Sequence, residues 1–145
     1  MSFRFPLATV LRIRVVLEEK EERMLQQILS EIAKTREAIA RTDAEIAESD
    51  ASRCSEVFKA CAGHNIHAFY GRMNELKQNR KNLEEQLEKL EQLRAMQIAV
   101  YEKARRNREM LTGMHEEQRS VYEATLARME QKAVDDNFIA RRGRV

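Results

Sequence analysis

Residues 25–46, LQQILSEIAKTREAIARTDAEI, carry the apolar spacing that decides the fold of this 145-residue chain. Aliphatic side chains recur at short, helix-like steps, and two threonines fill the remaining positions of the pattern. This heptad spacing places one narrow stripe along a helix, which is typical of a coiled-coil seam and not of a β-strand. The stripe consists of Leu25, Ile28, Ile32, Thr35, Ile39, Thr42 and Ile46.

A second stripe follows after residue 65. It begins regularly with Phe69, Met73, Leu76, Leu83, Leu87 and Leu90. It continues less regularly with Val100, Ala104, Leu111, Met114 and Val121. Between the two stripes, the tripeptide Gly-His-Asn at 63–65 is typical of a helix stop. We therefore predict an all-α protein, a long antiparallel two-helix coiled-coil hairpin that forms a single domain over residues 1–145.

The predicted boundaries follow from the helix-breaking residues. Helix 1 should run from about residue 6, since Pro6 suits a first helical turn, to about 62. The turn should occupy 63–65, helix 2 about 66–136, and a basic tail 137–145. Facing residues should then have numbers that sum to about 128, as in an antiparallel pair. The expected pairs are Ile46–Leu83, Ile39–Leu90, Ile32–Met96, Ile28–Val100, Leu17–Leu111 and Leu7–Val121. Residues from about 125 onward should overhang the paired region.

Composition excludes several classes of protein. Charged residues make up 34% of the chain, against 4 glycines and 1 proline, which favours long helices. A net charge of +2 is too small for a polycation that binds nucleic acid. No apolar run is long enough to span a membrane, and Arg12 and Arg14 interrupt the only candidate signal peptide. We expect a cytoplasmic protein.

No pattern indicates catalysis, a cofactor or a metal. There is no glycine-rich phosphate loop, and the acidic pairs Glu18–Glu19 and Glu21–Glu22 are expected to be solvated. Residues of the zinc-binding types crowd the predicted turn, but the gap of six residues between the two cysteines exceeds the usual spacing of zinc ligands. These residues are Cys54, Cys61, His64 and His67. We predict a non-enzymatic protein without a metal site.

The methionines have two interpretations. Methionine commonly fills thin helical cores, so we expect these side chains on or beside the seam; a promiscuous methionine-rich binding surface is the alternative. The residues concerned are Met24, Met96, Met110, Met114 and Met129.

Both ends of the chain are basic. Residues 1–17 contain three arginines and no acid, and residues 137–145 contain three more. A targeting peptide, a membrane-surface helix and a partner-docking end would all account for the first stretch. Because Leu7 and Leu17 already have expected partners on helix 2, a docking end is favoured.

The two ends also carry a family resemblance. The run FRFPLATVLRIR at 3–14 resembles the N-terminal signature of the FliJ family of flagellar export proteins, and EQKAVDDNFIARR at 130–142 resembles its closing segment. Asp136 stands where that family more often has glutamate, and the Cys/His-rich tip matches no family feature. The residues that carry the resemblance at the N-terminus are Phe3, Phe5, Leu7, Val10, Leu11 and Arg14. At the C-terminus they are Glu130, Gln131, Lys132, Asp135 and Asp136.

The resemblance implies a stalk-like, non-enzymatic component of the flagellar type III export apparatus. Such proteins bind the hexameric export ATPase, promote its assembly and activity, and contact the membrane export gate protein and export chaperones. The implied ATPase-binding residues are Phe3, Phe5, Leu7, Val10, Leu11, Arg14, Lys132, Asp135 and Asp136, to which we add the basic residues Arg141, Arg142 and Arg144. We expect a cytoplasmic protein, in part peripheral at the inner membrane, and a monomer when free.

Three alternatives remain open from the sequence. The equivalent stalk of a virulence-type secretion system would share the architecture. A weak binder of nucleic acid or membrane surfaces would use the basic ends, with strong salt dependence. A generic coiled coil would assemble as a parallel dimer and have no hairpin tip.

Overall fold

The computed structural model describes the backbone of residues 2–56 and 63–144, and the side chains of residues 2–52 and 66–144. Two α-helices make up almost all of this part of the chain: α1 spans Ala8–Glu56 and α2 spans Gly63–Arg142. The helices are antiparallel and pack against each other, with no strand among the described residues. The protein is therefore all-α and has the predicted two-helix coiled-coil hairpin fold.

The helix ends differ from the predicted ends. α1 starts two residues after Pro6, which lies in a turn, and the N–H of Ala8 donates to the carbonyl of Phe5 at 3.1 Å. Gly63 belongs to the first turn of α2, so the predicted turn at 63–65 is helical; residues 57–62 lie outside the described part. α2 continues to Arg142 because no glycine or proline lies between residues 114 and 142 and because basic side chains stabilise a helix C-terminus. The expected tail from 137 is thus mostly helix.

The packed residues fall into two compact units. The first, here the shaft unit, contains residues 22–100, and the second, the terminal unit, contains residues 1–21 and 101–145.

In the shaft unit the predicted seam is present. Ile32 and Met73 are buried, and so are the two threonines of the α1 stripe, whose hydroxyls donate to carbonyls one turn earlier at 2.8 and 2.9 Å. Polar seam positions are tolerated because these hydroxyls find partners within their own helix. The buried and half-buried seam positions are 25, 28, 32, 35, 39, 42, 46 and 49 on α1 and 73, 76, 80, 83, 87, 90 and 97 on α2.

Ion pairs confirm the antiparallel register of the shaft unit. Arg36 donates to Glu91 across the two helices at 3.1 Å, and Arg80 binds Asp43. In each pair, the mean of the two residue numbers lies within two of 62, which is close to the predicted turn.

The seam of the terminal unit is more polar than predicted. Its half-buried or buried positions are 11, 14, 18 and 21 on α1 and 101, 104, 108, 111, 115 and 122 on α2. Leu111 is buried as expected, but Glu18 takes the seam position expected for Leu17, which is 38% exposed. The expectation that Glu18 is solvated was therefore wrong.

The predicted continuation of the α2 stripe was wrong at Val100, Met114 and Val121, where it changed heptad phase, whereas Ala104 and Leu111 lie in the seam as predicted. Met96 is 67% exposed, while its neighbour Gln97 is 9% exposed and occupies the seam. Val100 and Val121 are likewise exposed. Two stripes, one residue apart, overlap along this part of α2, and the more hydrophobic one points outward. An unbroken helix keeps the phase set by Met73–Leu90 and cannot change to the other stripe.

The five methionines assigned to the seam region lie outside the core. All five methionines assigned to the seam region are at least 38% exposed, whereas Met73 is 5% exposed. The core-filling interpretation was wrong for these five side chains, namely Met24, Met96, Met110, Met114 and Met129. The alternative, a methionine-rich binding surface, agrees with their exposure.

Two matched substitutions test the observed phase. Ile32→Ala removes a side chain that is 3% exposed and should lower the free energy of unfolding by about 2–4 kcal/mol. Met96→Ala, at the position predicted from the sequence to face Ile32, should change the free energy of unfolding by less than about 0.5 kcal/mol. Urea unfolding followed by circular dichroism at the helical band measures both. Equal losses for the two variants would contradict the phase described here.

Candidate docking site at the chain termini

The N-terminal segment packs back onto α2 through its two phenylalanines. The Phe5 ring lies edge-on to the His115 ring, with centroids 5.0 Å apart and an angle of 90°. The Phe3 ring lies 5.5 Å from His115 and also 5.5 Å from Tyr122. Edge-to-face contacts of this kind stabilise by about 0.5–1.5 kcal/mol beyond the buried area. We call Phe3, Phe5, His115 and Tyr122 the aromatic clasp.

An ion pair lies in the seam below the clasp. Arg108 binds Glu18 through two hydrogen bonds, Nε to Oε2 at 2.5 Å and Nη2 to Oε1 at 3.1 Å. The Glu18 side chain is 14% exposed. The hydrogen bond from Arg108 holds the pKa of Glu18 below its usual range, although burial opposes this effect. The bidentate geometry fixes the axial register of α1 relative to α2 near the termini.

The C-terminal end of α2 has no packed partner in the described part of the chain. Every residue from 127 to 144 is exposed, including Met129, Val134, Phe138 and Ile139. The Arg142 guanidinium lies over the Phe138 ring, 5.6 Å from its centroid, and Gln131 donates to Asp135 at 3.0 Å. We call residues 127–144 the free helix end; it agrees with the predicted overhang.

The structure does not bring the predicted docking residues together as one surface. Phe5 is 8% exposed and is used in folding, Phe3, Leu7, Leu11 and Arg14 are half-buried, and Val10 is 40% exposed. The remaining predicted residues are exposed on the free helix end: Lys132, Asp135, Asp136, Arg141, Arg142 and Arg144. Nineteen residues separate Tyr122 of the clasp from Arg141, which is about 28 Å along an α-helix.

Sequence reasoning missed His115, Tyr122 and Arg108. A signal for them was present: they follow Tyr101 at steps of seven residues, in the heptad phase of Met73–Leu87. Following that phase through polar residues, instead of the most apolar pattern, would have found them.

The Cys/His-rich tip cannot be compared with the prediction. Cys61 lies outside the described residues, the side chains of Cys54 and His64 lie outside the described side chains, and His67 is exposed. Among the described residues, no cluster of three or more metal-ligating side chains occurs. Within the same part of the chain, neither helix contains a stretch apolar enough to cross a bilayer.

These features define a helical hairpin protein that presents an unpaired, arginine-ended helix. The family model for the flagellar FliJ protein matches residues 3–144, so the chain belongs to the FliJ family. It is therefore a protein of flagellar export, from a family of non-catalytic components. No curated protein and no solved structure shows significant similarity to the chain.

The ion pair predicts a pH-dependent stability. Because folding lowers the pKa of Glu18, its contribution is complete above the pKa that glutamate has in the unfolded chain, about 4.3, and is lost as pH falls through the lower folded value. The stability difference between the wild type and Glu18→Gln should thus be constant above about pH 6 and shrink towards pH 3. Urea unfolding at a series of pH values measures it, and Glu22→Gln controls for net charge. A difference that persists undiminished at pH 3 would assign the effect to packing.

The aromatic clasp predicts local protection of the N-terminus. Phe5→Ala should increase amide hydrogen exchange in residues 8–14 by at least about tenfold, because the start of α1 then loses its buried anchor. Phe138→Ala removes the same ring from a site that is 61% exposed and should leave that exchange unchanged. Mass spectrometry of peptic fragments would detect the change; unaltered exchange in Phe5→Ala would show that the clasp does not anchor α1.

Proposed function

We propose that this protein is the stalk-like coupling component of the flagellar type III export apparatus, and that its free helix end binds the hexameric export ATPase. Binding there promotes assembly and activity of the hexamer, while the protein itself hydrolyses nothing. The observation that carries the proposal is the exposure of every residue from 127 to 144 beyond the last packed position of the hairpin.

Charge supports this choice of surface. The free helix end finishes with Arg141, Arg142 and Arg144, and no acid follows Asp136. Arginines at an exposed helix end would be attracted by acidic groups of a ring and would speed association. Exposed Phe138 and Ile139, next to these arginines, supply apolar area for a stable complex.

The aromatic clasp has a positioning role in this proposal. Because Phe5 is buried and Phe3 packs on two rings, these side chains hold the N-terminal segment beside α2 and do not form the main contact with the ATPase. We also assign to the ATPase-binding end four residues that border this segment: Leu7, Val10, Leu11 and Arg14.

The remaining partners follow from the family. We propose further contacts with the membrane export gate protein and with export chaperones, and a cytoplasmic location at the inner face of the membrane. The described helices have no membrane-spanning stretch, which agrees with this location.

The test is ATP hydrolysis by the cognate export ATPase with and without this protein at moderate salt. The wild type should stimulate hydrolysis and co-elute with the ATPase. The triple variant Arg141→Glu, Arg142→Glu, Arg144→Glu should lose most of the stimulation, since it reverses the charge of the free helix end without changing any residue of the seam.

The matched control is Lys77→Glu, Lys81→Glu, Lys89→Glu, which makes the same charge change at exposed positions of the shaft unit. It should stimulate like the wild type. Equal loss in both triple variants would mean that net charge, and not the free helix end, governs the effect. Stimulation that survives in the arginine variant would overturn the assignment of the ATPase-binding surface.

A further inference from the structure

The first turns of α1 contain little that favours a helix by itself. The residue before the helix is Leu7, which has no side-chain oxygen to accept from the N–H groups of the first turn. No acid occurs before Glu18, whereas Arg12 and Arg14 place positive charge near the positive end of the helix dipole. Five of the first nine helical residues are β-branched, which lowers helix propensity. They are Thr9, Val10, Ile13, Val15 and Val16.

Charge interrupts the seam that holds this segment against α2. Four of the ten seam positions given above for the terminal unit are charged, against one of the fifteen given for the shaft unit, which is Arg80. Of the four, Glu18 and Arg108 bind each other, so the contact between the helices depends partly on one ion pair. Such a pair stabilises less than aliphatic packing, because desolvation offsets much of the attraction. The four charged positions are Arg14, Glu18, Glu21 and Arg108.

Two shallow cavities border the phenylalanines of this segment. One, of about 450 Å³, lies beside Phe3 and is otherwise lined by α2 residues. The other, of about 510 Å³, lies beside Phe5 and His115 and is otherwise lined by α1 residues. Within the described part of the terminal unit, Phe5 and Leu111 are the only buried apolar side chains. Open space beside the anchoring rings forfeits contacts that close packing would supply.

We propose that residues 2–21, here the strap, unwind and leave α2 as one unit while the shaft unit stays paired. The helical part of the strap, residues 8–21, is fourteen residues long, and a helix of that length is marginal in water without packing. Glu21 is the last α1 residue of the terminal unit, and the aliphatic seam of the shaft unit begins at Leu25. The opening should therefore stop between these two residues, where the packing becomes apolar.

The strap determines how much of α2 is unpaired. With the strap in place, the unpaired part is the free helix end, residues 127–144. When the strap leaves, residues 101–122 lose their partner as well, which adds about 33 Å of unpaired helix. The hairpin thus has a built-in opening at the chain termini that leaves the shaft unit folded. This inference does not depend on the function proposed above.

Hydrogen exchange on the full-length protein at several low urea concentrations tests the proposal. Amides of residues 12–21 should exchange at least about 100-fold faster than those of residues 28–46, because they need only the local opening. Their exchange should also respond weakly to urea, since the local opening exposes little surface, whereas exchange in residues 28–46 should rise steeply. Mass spectrometry of peptic fragments separates the two segments.

Three variants separate the strap from the shaft unit. Phe5→Ala should speed exchange in residues 12–21 by at least about tenfold and leave residues 28–46 unchanged. Ile32→Ala, at a side chain 3% exposed, should do the reverse. Ile13→Ala with Val16→Ala, at exposed positions, should slow exchange in residues 12–21 by about fivefold, because alanine raises helix propensity.

Equal exchange along the two segments would overturn the proposal, and so would parallel responses of both segments to Phe5→Ala and Ile32→Ala. Either result would mean that the hairpin opens only as a whole. Unchanged exchange in the double alanine variant would also contradict the proposal, since weak helix propensity would then not govern the opening.

Discussion

The phase of α2 is set between Met73 and Leu90 and does not change before Arg142, because neither proline nor a break interrupts the described helix. Leucines at both seam positions hold this phase where the packing is apolar. Every later residue of the helix must keep this heptad phase. Polar Gln97, Tyr101 and Arg108 therefore face α1, and methionines face outward.

The polar seam of the terminal unit needs specific partners, and the structure supplies them. Glu18 meets Arg108 in a bidentate pair, and the His115 ring contacts the rings of both Phe3 and Phe5. Such contacts stabilise less than aliphatic packing, but each has a fixed geometry, so together they define one register where apolar residues would tolerate several. A defined register in turn determines where the free helix end begins.

The exposed free helix end is the feature on which the proposed coupling role in flagellar export rests. The FliJ family is known as a non-catalytic component of flagellar export, and membership implies partners in the export apparatus. This chain keeps its folding contacts in one narrow seam and leaves the free helix end exposed. The free helix end combines exposed arginines with exposed apolar side chains, Phe138 and Ile139.

The sequence by itself determined the helical class, the hairpin, the shaft seam from Leu25 to Ile46 and the family, because heptad spacing and terminal motifs are local patterns. Only the tertiary structure decided which of two overlapping stripes on α2 faces α1. Local hydrophobicity favoured Met96 and Val100, but helical continuity from the leucines upstream selected Gln97 and Tyr101. The burial of Phe5 and the pairing of Glu18 with Arg108 were decided in the same way. Each depends on a residue about ninety or more positions away, which no local pattern contains.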